Sequence, residues 1–339
     1  MLNLRPPGRR APQPFRLSSG ALLATTPVFE DYWYFAYERQ EMFFRRVEGT
    51  STPWTRDPIL RAYRFTNPYR AADRVSQYLI RNVIYKGSQA TEEVFFRTLL
   101  FKLFNRIETW ELLLERCGPL TWNFFDLKSM NTVLDEAVLT GSKIYSSAYM
   151  MPAPNCGAAK KHTNHLHLLA KMMKDRLPDQ VATSASLCDV YVRLRAVPSF
   201  GDFLAFQFAI DLNYSEMLDF SEMDFVVAGP GAQSGIRKAF ANVGGLSNEE
   251  IIREVTEAAE REFAQRGHRF RNLWGRPLQL VDCQNLFCEV DKYSRVAHPE
   301  IEGNGRARIK RRYLSPDHRC LPQWYPPKWA LSVPEEAKK

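Results

Sequence analysis

The 339-residue chain has no apolar run long enough to span a bilayer, and its first thirty residues lack the apolar core of a secretory signal. Both absences argue for an intracellular protein, in the cytoplasm or in a nucleus. Cysteine is sparse: the six residues, at 117, 156, 188, 283, 288 and 320, form no CxxC pair. Their irregular spacing excludes a disulfide framework and an iron–sulfur cluster of four close thiolates, and it gives no zinc motif. Alternating strand patterns are rare, no internal repeat appears, and the GxxxxGK[ST] spacing of a phosphate-binding loop does not occur. Acidic residues are missing from the N-terminus up to Glu30, whereas Arg5, Arg9, Arg10 and Arg16 precede it.

What is present is a globular composition, 45% apolar and 25% charged, with a formal net charge of +8. The excess sits at the ends, since "RARIKRR" at 306–312 mirrors the N-terminal arginines. Such clusters fit a polyanionic partner, and basic tails of this kind also serve solubility. Residues 1–24, rich in Pro, Arg, Gly and Ser, read as a disordered basic arm; 25–300 as the helical body; 301–339 as a basic, Pro-rich tail. Helix-start signals recur at Thr26–Pro27, Asp57–Pro58, Asn67–Pro68, Thr91 and the Ser247/Glu250 capping box. Amphipathic spacing predicts helices over 28–46, 69–85, 91–105, 107–117, 158–176, 183–195, 202–212 and 247–266, with an exposed connection at 147–161. The expected class is all-α.

Several stretches carry more chemistry than packing needs. "LRAVPSFGDFLAFQFAIDL", 194–212, predicts two helices joined by a turn at Pro198 and Gly201, with Ala205 allowing close approach. It resembles the helix-hairpin-helix of DNA glycosylases, whose turn amides hold a DNA phosphate, although Ser199 stands at the first glycine and Phe203 where lyase-type members carry their lysine. Glu222 and Asp224 follow where those enzymes place a catalytic carboxylate; they also suit the cap of a following helix. In "GPGAQSGIRK", the Gly229, Gly231 and Gly235 amides with Arg237 and Lys238 could wrap an anion, or form a plain glycine turn. His162, His165 and His167 could share a metal but read more simply as polar histidines. On the predicted helix 282–297, Leu286, Val290, Tyr293 and Ala297 make an apolar stripe, and Asn285, Glu289 and Lys292 run beside it. That edge suits catalysis or a structural ion pair.

The ordered stretches "YERQEMFFRR", "PWTRDPIL", "YRFTNPYRAADRVS", "PSFGDFLAFQFAIDL", "SEMDFVVAGPGAQSGI" and "CQNLFCEVDKYSRV" resemble one family. It is the helical domain shared by 5-hydroxymethyl-deoxyuridine DNA kinases and α-glutamyl/putrescinyl-thymine pyrophosphorylases, thought to derive from the helix-hairpin-helix glycosylase fold. The resemblance implies DNA carrying modified thymine or uracil as partner, a small amine or amino acid as co-substrate, and no cofactor or membrane. It implies replacement of the pyrophosphate of 5-pyrophosphomethyl-uracil by an amine, the kinase branch requiring a further phosphate-loop domain. Arg39, Arg45, Arg46, Asn67, Arg70, Arg74, Gly201 and the 229–238 stretch would then meet phosphate. Lys292 would meet the leaving diphosphate, Glu289, Glu222 or Asp224 would take the amine proton, and Asn285 would read the base edge. A glycosylase for a modified pyrimidine, or a non-catalytic DNA-binding module, would use the same fold.

Overall fold

The Thr26 side chain accepts from the Val28 amide while Pro27 presets the first turn, and α1 (Pro27–Val47) begins where this pair predicts. The structure, a computed structural model, describes residues 11–148, 151–301, 309, 312–313 and 322–338. Asp57 caps α2 (Pro58–Ala62) through the amides of Ile59 and Leu60. The chain then builds a second compact unit, from Arg74 to Phe225, with α3 (Arg74–Tyr78), α4 (Thr91–Phe104), α5 (Ile107–Cys117), α6 (Leu127–Leu139), α7 (Lys161–Lys174), α8 (Leu177–Ala182), α9 (Leu187–Arg195) and α10 (Asp202–Asn213). It returns to the first unit for α11 (Pro230–Ala239), α12 (Asn248–Glu257), α13 (Ala259–Gln265) and α14 (Leu280–Ala297). Trp324–Lys328 belongs to the second unit and the described residues from Trp329 onward to the first. The described chain is mainly α-helical, its one sheet being a two-stranded ribbon.

In the first unit α14 is the central helix, contacted by α1, α2, α11 and α12. The face α1 turns inward includes Phe29, Tyr32, Trp33 and Phe35, all fully buried; each such side chain contributes about 1.5–3 kcal/mol of burial. The closest packing is α11 on α14. A Cβ at Gly235 would fall 2.1 Å from the Phe287 carbonyl oxygen, and one at Gly231 would fall 2.3 Å from Cys288 Sγ. Ser247 and Glu250 form the expected capping box on α12.

Where composition predicts a disordered arm through residue 24, part of the segment is structured instead. Phe15–Arg16 (β1) pairs antiparallel with Leu22–Leu23 (β2), and Phe15 is fully buried against Phe29 and Phe240. One aromatic with Leu17 and Leu23 supplies apolar area that a Pro- and Arg-rich average conceals. In the tail, the Gln323 amide donates to the Ala337 carbonyl at 2.7 Å, so that portion is packed as well. Arg5, Arg9, Arg10 and most of "RARIKRR" lie outside the described residues.

In the second unit α4 is the hub, touching α5, α7, α8 and α10. It is buried along almost its whole circumference, so it shows little amphipathic contrast. Lys102 on α4 pairs with the fully buried Asp211 on α10 at 3.1 Å. The predicted helix 69–85 is broken into a 3-10 turn, α3 and a π-helical stretch, Leu79–Ile84. Arg97 takes up the carbonyls that this stretch leaves at its end, donating to Val83, Ile84 and Ser88. Helices α9 and α10 form the expected hairpin: Gly201 is the N-cap of α10, Ala205 is fully buried, and Ser199 sits at φ 71°.

Candidate active site

Helix α14 is tied to the loop before the second unit by its acidic side chains. The Asp282 carboxylate caps its own helix through the Gln279 amide at 3.0 Å, and its other oxygen accepts the Arg70 amide at 2.8 Å. Two turns further on, Glu289, 5% exposed, accepts the Thr66 amide at 2.9 Å. Its second oxygen lies 3.4 Å from Lys292 Nζ, which also donates to the Cys288 carbonyl at 2.6 Å and meets Cys288 Sγ at 2.9 Å. Burial works against the Lys292 ammonium, but Glu289 and Cys288 beside it outweigh that and hold its pKa above the ordinary lysine value. The ammonium is therefore a fixed cation with some access to water.

From α1, Arg39 reaches the same place. Its Nε and Nη2 donate to the Phe65 carbonyl at 3.3 and 3.2 Å. Burial lowers the Arg39 pKa, while the charges of Tyr313, Asp73 and Glu289 act to raise it and that of Arg46 to lower it. Asn67 closes the intervening loop: its amide N–H goes to Asp73 Oδ1 at 2.8 Å and its side chain donates to the Ala72 carbonyl at 2.8 Å. It is thus a loop clasp, where the Asn67–Pro68 pair predicts a helix start. Arg45 donates to Glu38 at 3.3 Å and to the Trp54 carbonyl at 2.5 Å, and Arg46 lies over the Trp54 ring at 5.7 Å.

The half-open edge of α14 consists of Asn285, Cys288 and Lys292, while Glu289 turns inward toward Thr66. Cys288 is the residue that sequence reasoning missed. Its spacing of four before Lys292 is the signal that could have found it.

The glycine stretch behaves differently from the expected anion wrap. Gly229 is the N-cap of α11, and Gly231 and Gly235, one turn apart on that helix, give α14 room to approach. Lys238, 2% exposed, is held by Asp291 at 3.0 Å and Ser294 at 3.2 Å. Burial alone would raise the Asp291 pKa, but hydrogen bonds from Ser234 and Lys238 and their charge environment lower it, so this is a buried ion pair joining α11 to α14. A lysine so committed cannot reach an outside phosphate. Arg237 remains exposed on α11.

The other named residues lie in the second unit. Arg74 is largely exposed and 4.0 Å from Glu108. Glu222 is buried, and its charge acts on Lys328, whereas Asp224 is exposed. The histidines each hold hydrogen bonds: His162 contacts Asp135 at 2.8 Å, His165 bridges Tyr145 and the Pro152 carbonyl, and His167 contacts the Cys156 carbonyl. No cluster of metal-binding side chains occurs among the described residues, and none of their helices is long and apolar enough to cross a membrane.

A cleft of about 810 Å³ in the first unit is lined by Phe44, Phe270, Trp274, Arg269 and Glu336 among others, and by none of the Arg39, Glu289 and Lys292 group. Size and chemistry point to different places here. The cleft mixes three aromatic rings with Glu48, Arg269, Arg271 and Glu336, whereas the cluster sets a buried carboxylate directly against Lys292 and beside Arg39, so the cluster is the stronger candidate for group transfer.

A mainly α-helical chain in which an arginine and a lysine flank a buried carboxylate between α1 and α14 has a recognisable counterpart. The family model described as "5-hmdU DNA kinase, helical domain" matches residues 26–303, and the chain belongs to that family. A 5-hmdU DNA kinase of Bacillus phage SP10 is 26% identical over 288 residues, an alignment covering 78% of this chain and 45% of the phage protein. The chain thus spans less than half the length of that curated relative. No solved structure matches.

Proposed function

We propose that this chain modifies thymine-type bases in DNA, exchanging the pyrophosphate of 5-pyrophosphomethyl-uracil for an amine. The observation that carries the reading is the meeting of Arg39 and Lys292 at the buried Glu289: Arg39 donates to the Phe65 carbonyl, and Glu289 accepts the adjoining Thr66 amide and lies 3.4 Å from Lys292. In such an exchange the amine nitrogen forms a bond to the base methylene as the carbon–oxygen bond to pyrophosphate breaks. The departing group gains negative charge, which Lys292 and the arginines offset at fixed positions. The attacking nitrogen loses a proton, and in this reading Glu289 accepts it through the oxygen that faces Lys292. Asn285, on the half-open edge of α14, reads the base edge. The turn before Gly201 in the α9–α10 hairpin contributes a contact to the DNA backbone, as in the glycosylases that it resembles.

The phage relative's name favours a second reading, in which the chain presents a 5-hydroxymethyl base for phosphoryl transfer. Nucleoside mass spectrometry separates the readings. Purified protein is given DNA bearing 5-pyrophosphomethyl-uracil with a panel of amines, and in parallel DNA bearing 5-hydroxymethyl-uracil with ATP. An amino-substituted nucleoside and released pyrophosphate support the exchange. A phosphorylated nucleoside supports the kinase reading, abasic sites a glycosylase, and unchanged DNA a binding module.

A further inference from the structure

The stretch after α1 carries arginines that this site does not use. Arg56, Arg61, Arg64 and Arg312 are all exposed, and none is paired with a carboxylate among the described residues. The one acid between Thr50 and Phe65 is Asp57, buried as the α2 cap and bonded to the Tyr293 hydroxyl at 2.6 Å. The exposed charge of the stretch is therefore of one sign. A merely solvated face ordinarily mixes signs.

Three of the guanidinium groups in this region lie over rings: Arg46 over Trp54 at 5.7 Å, Arg64 over Tyr313 at 5.3 Å and Arg312 over Tyr63 at 5.7 Å. Tyr63 bridges antiparallel to Arg312, and the Tyr313 amide donates to the Ala62 carbonyl at 3.1 Å, so the two segments run side by side. Arg39 joins them to the candidate site, since Tyr313, Arg46 and Glu289 all act on its charge. A guanidinium drawn over a ring by cation–π attraction still carries several N–H donors toward an oxyanion, an arrangement lysine does not reproduce. A compact diphosphate would call for cations converging on one point. These are strung along two adjacent segments, which suits a row of phosphates.

We propose that this arginine–aromatic rim is a DNA-docking surface that holds the phosphodiester backbone beside the base presented to Arg39, Glu289 and Lys292. The proposal rests on reading that site as one that acts on DNA. The test is fluorescence anisotropy with duplex DNA over a range of salt, comparing the parent protein with Arg56→Gln/Arg61→Gln/Arg64→Gln/Arg312→Gln and with a control, Arg116→Gln/Arg176→Gln, in the second unit. Each lost phosphate contact lowers the slope of log affinity against log salt by about 0.9, so the fourfold variant loses about 3.6 and the control close to none. Arg56 and Arg61 make no side-chain hydrogen bond, ion pair or ring contact among the described residues. Their double variant keeps the fold, and its expected slope loss of about 1.8 decides the matter if the fourfold variant does not fold. Parent and variants binding DNA with equal slopes would overturn the rim while leaving the proposed reaction standing. A parent protein that binds no DNA would overturn both, and binding to poly-glutamate as tight as to DNA would overturn the choice of partner.

Discussion

Replacing Lys292 with Met keeps most of the side-chain stem and removes the cation, so it separates chemistry from packing. The ammonium lies 3.4 Å from Glu289, whose side chain is only 6% exposed. Breaking a fully buried ion pair costs about 3–5 kcal/mol because the remaining charge is stranded. Two features of this pair reduce that cost: Lys292 is 22% exposed, and Glu289 keeps the Thr66 amide at 2.9 Å. A loss of about 1–2 kcal/mol remains, or a fall in Tm of about 2–6 °C. The proposed reaction asks more of the cation, because charge on the leaving pyrophosphate grows in the transition state. Its removal costs about 100-fold in kcat/KM, equivalent to about 2.7 kcal/mol. The assay is product formation on DNA bearing 5-pyrophosphomethyl-uracil, with a melting curve on the same preparation. A stable variant of undiminished activity would remove Lys292 from the site, and an unfolded one would assign it to structure.

Three further outcomes follow from packing and charge. Gly235→Ala drives a methyl to 2.1 Å from a backbone carbonyl; the clash costs about 3 kcal/mol against a gain of about 1 kcal/mol in helix propensity, so the melting curve should shift well downward. Unchanged stability would mean that α11 and α14 are not so close. Ser199→Gly frees a residue at φ 71°; relief of about 1–2 kcal/mol exceeds the added unfolded-state entropy of about 0.4–1 kcal/mol, so stability rises slightly, and a clear fall would argue against this turn geometry. Burial lowers His165 from 6.5 to about 4. Below pH 6.5 the unfolded chain takes up a proton that the folded chain refuses, so stability present above that pH is lost as pH falls toward 4, by up to about 3 kcal/mol. Melting temperature followed over that window should flatten in His165→Gln, and a slope equal to the parent's would contradict the assignment.

The helices that were legible in sequence are those with a cap and a one-sided apolar stripe. Thr26–Pro27 and Ser247/Glu250 mark their starts correctly, and α14 lies where Leu286, Val290 and Tyr293 place it. Helix α11 was not legible, because Gly229, Pro230, Gly231 and Gly235 each favour a turn locally. Only its packing explains them: two glycines one turn apart let the α14 backbone approach, a relation between distant segments that local propensity does not encode. Lys238 misled for the same reason, since a lysine after glycines suggests phosphate until Asp291 is found facing it. Of the named residues, Arg39 and Glu289 hold adjoining peptide groups and Lys292 meets Glu289, whereas the inward turn of Glu289 depends on the 65–73 loop, whose path the sequence does not reveal, and Cys288 was passed over beside Lys292.

Photo-crosslinking tests the central claim most directly, that Arg39, Glu289 and Lys292 face the reacting base. Duplex DNA with a single 5-iodouracil at the target position is irradiated with the full chain, and the linked peptides are sequenced. Links are expected in 37–46, 63–73 and 285–293. Links confined to the aromatic cleft of Phe44, Phe270 and Trp274, or to residues of the second unit, would contradict it.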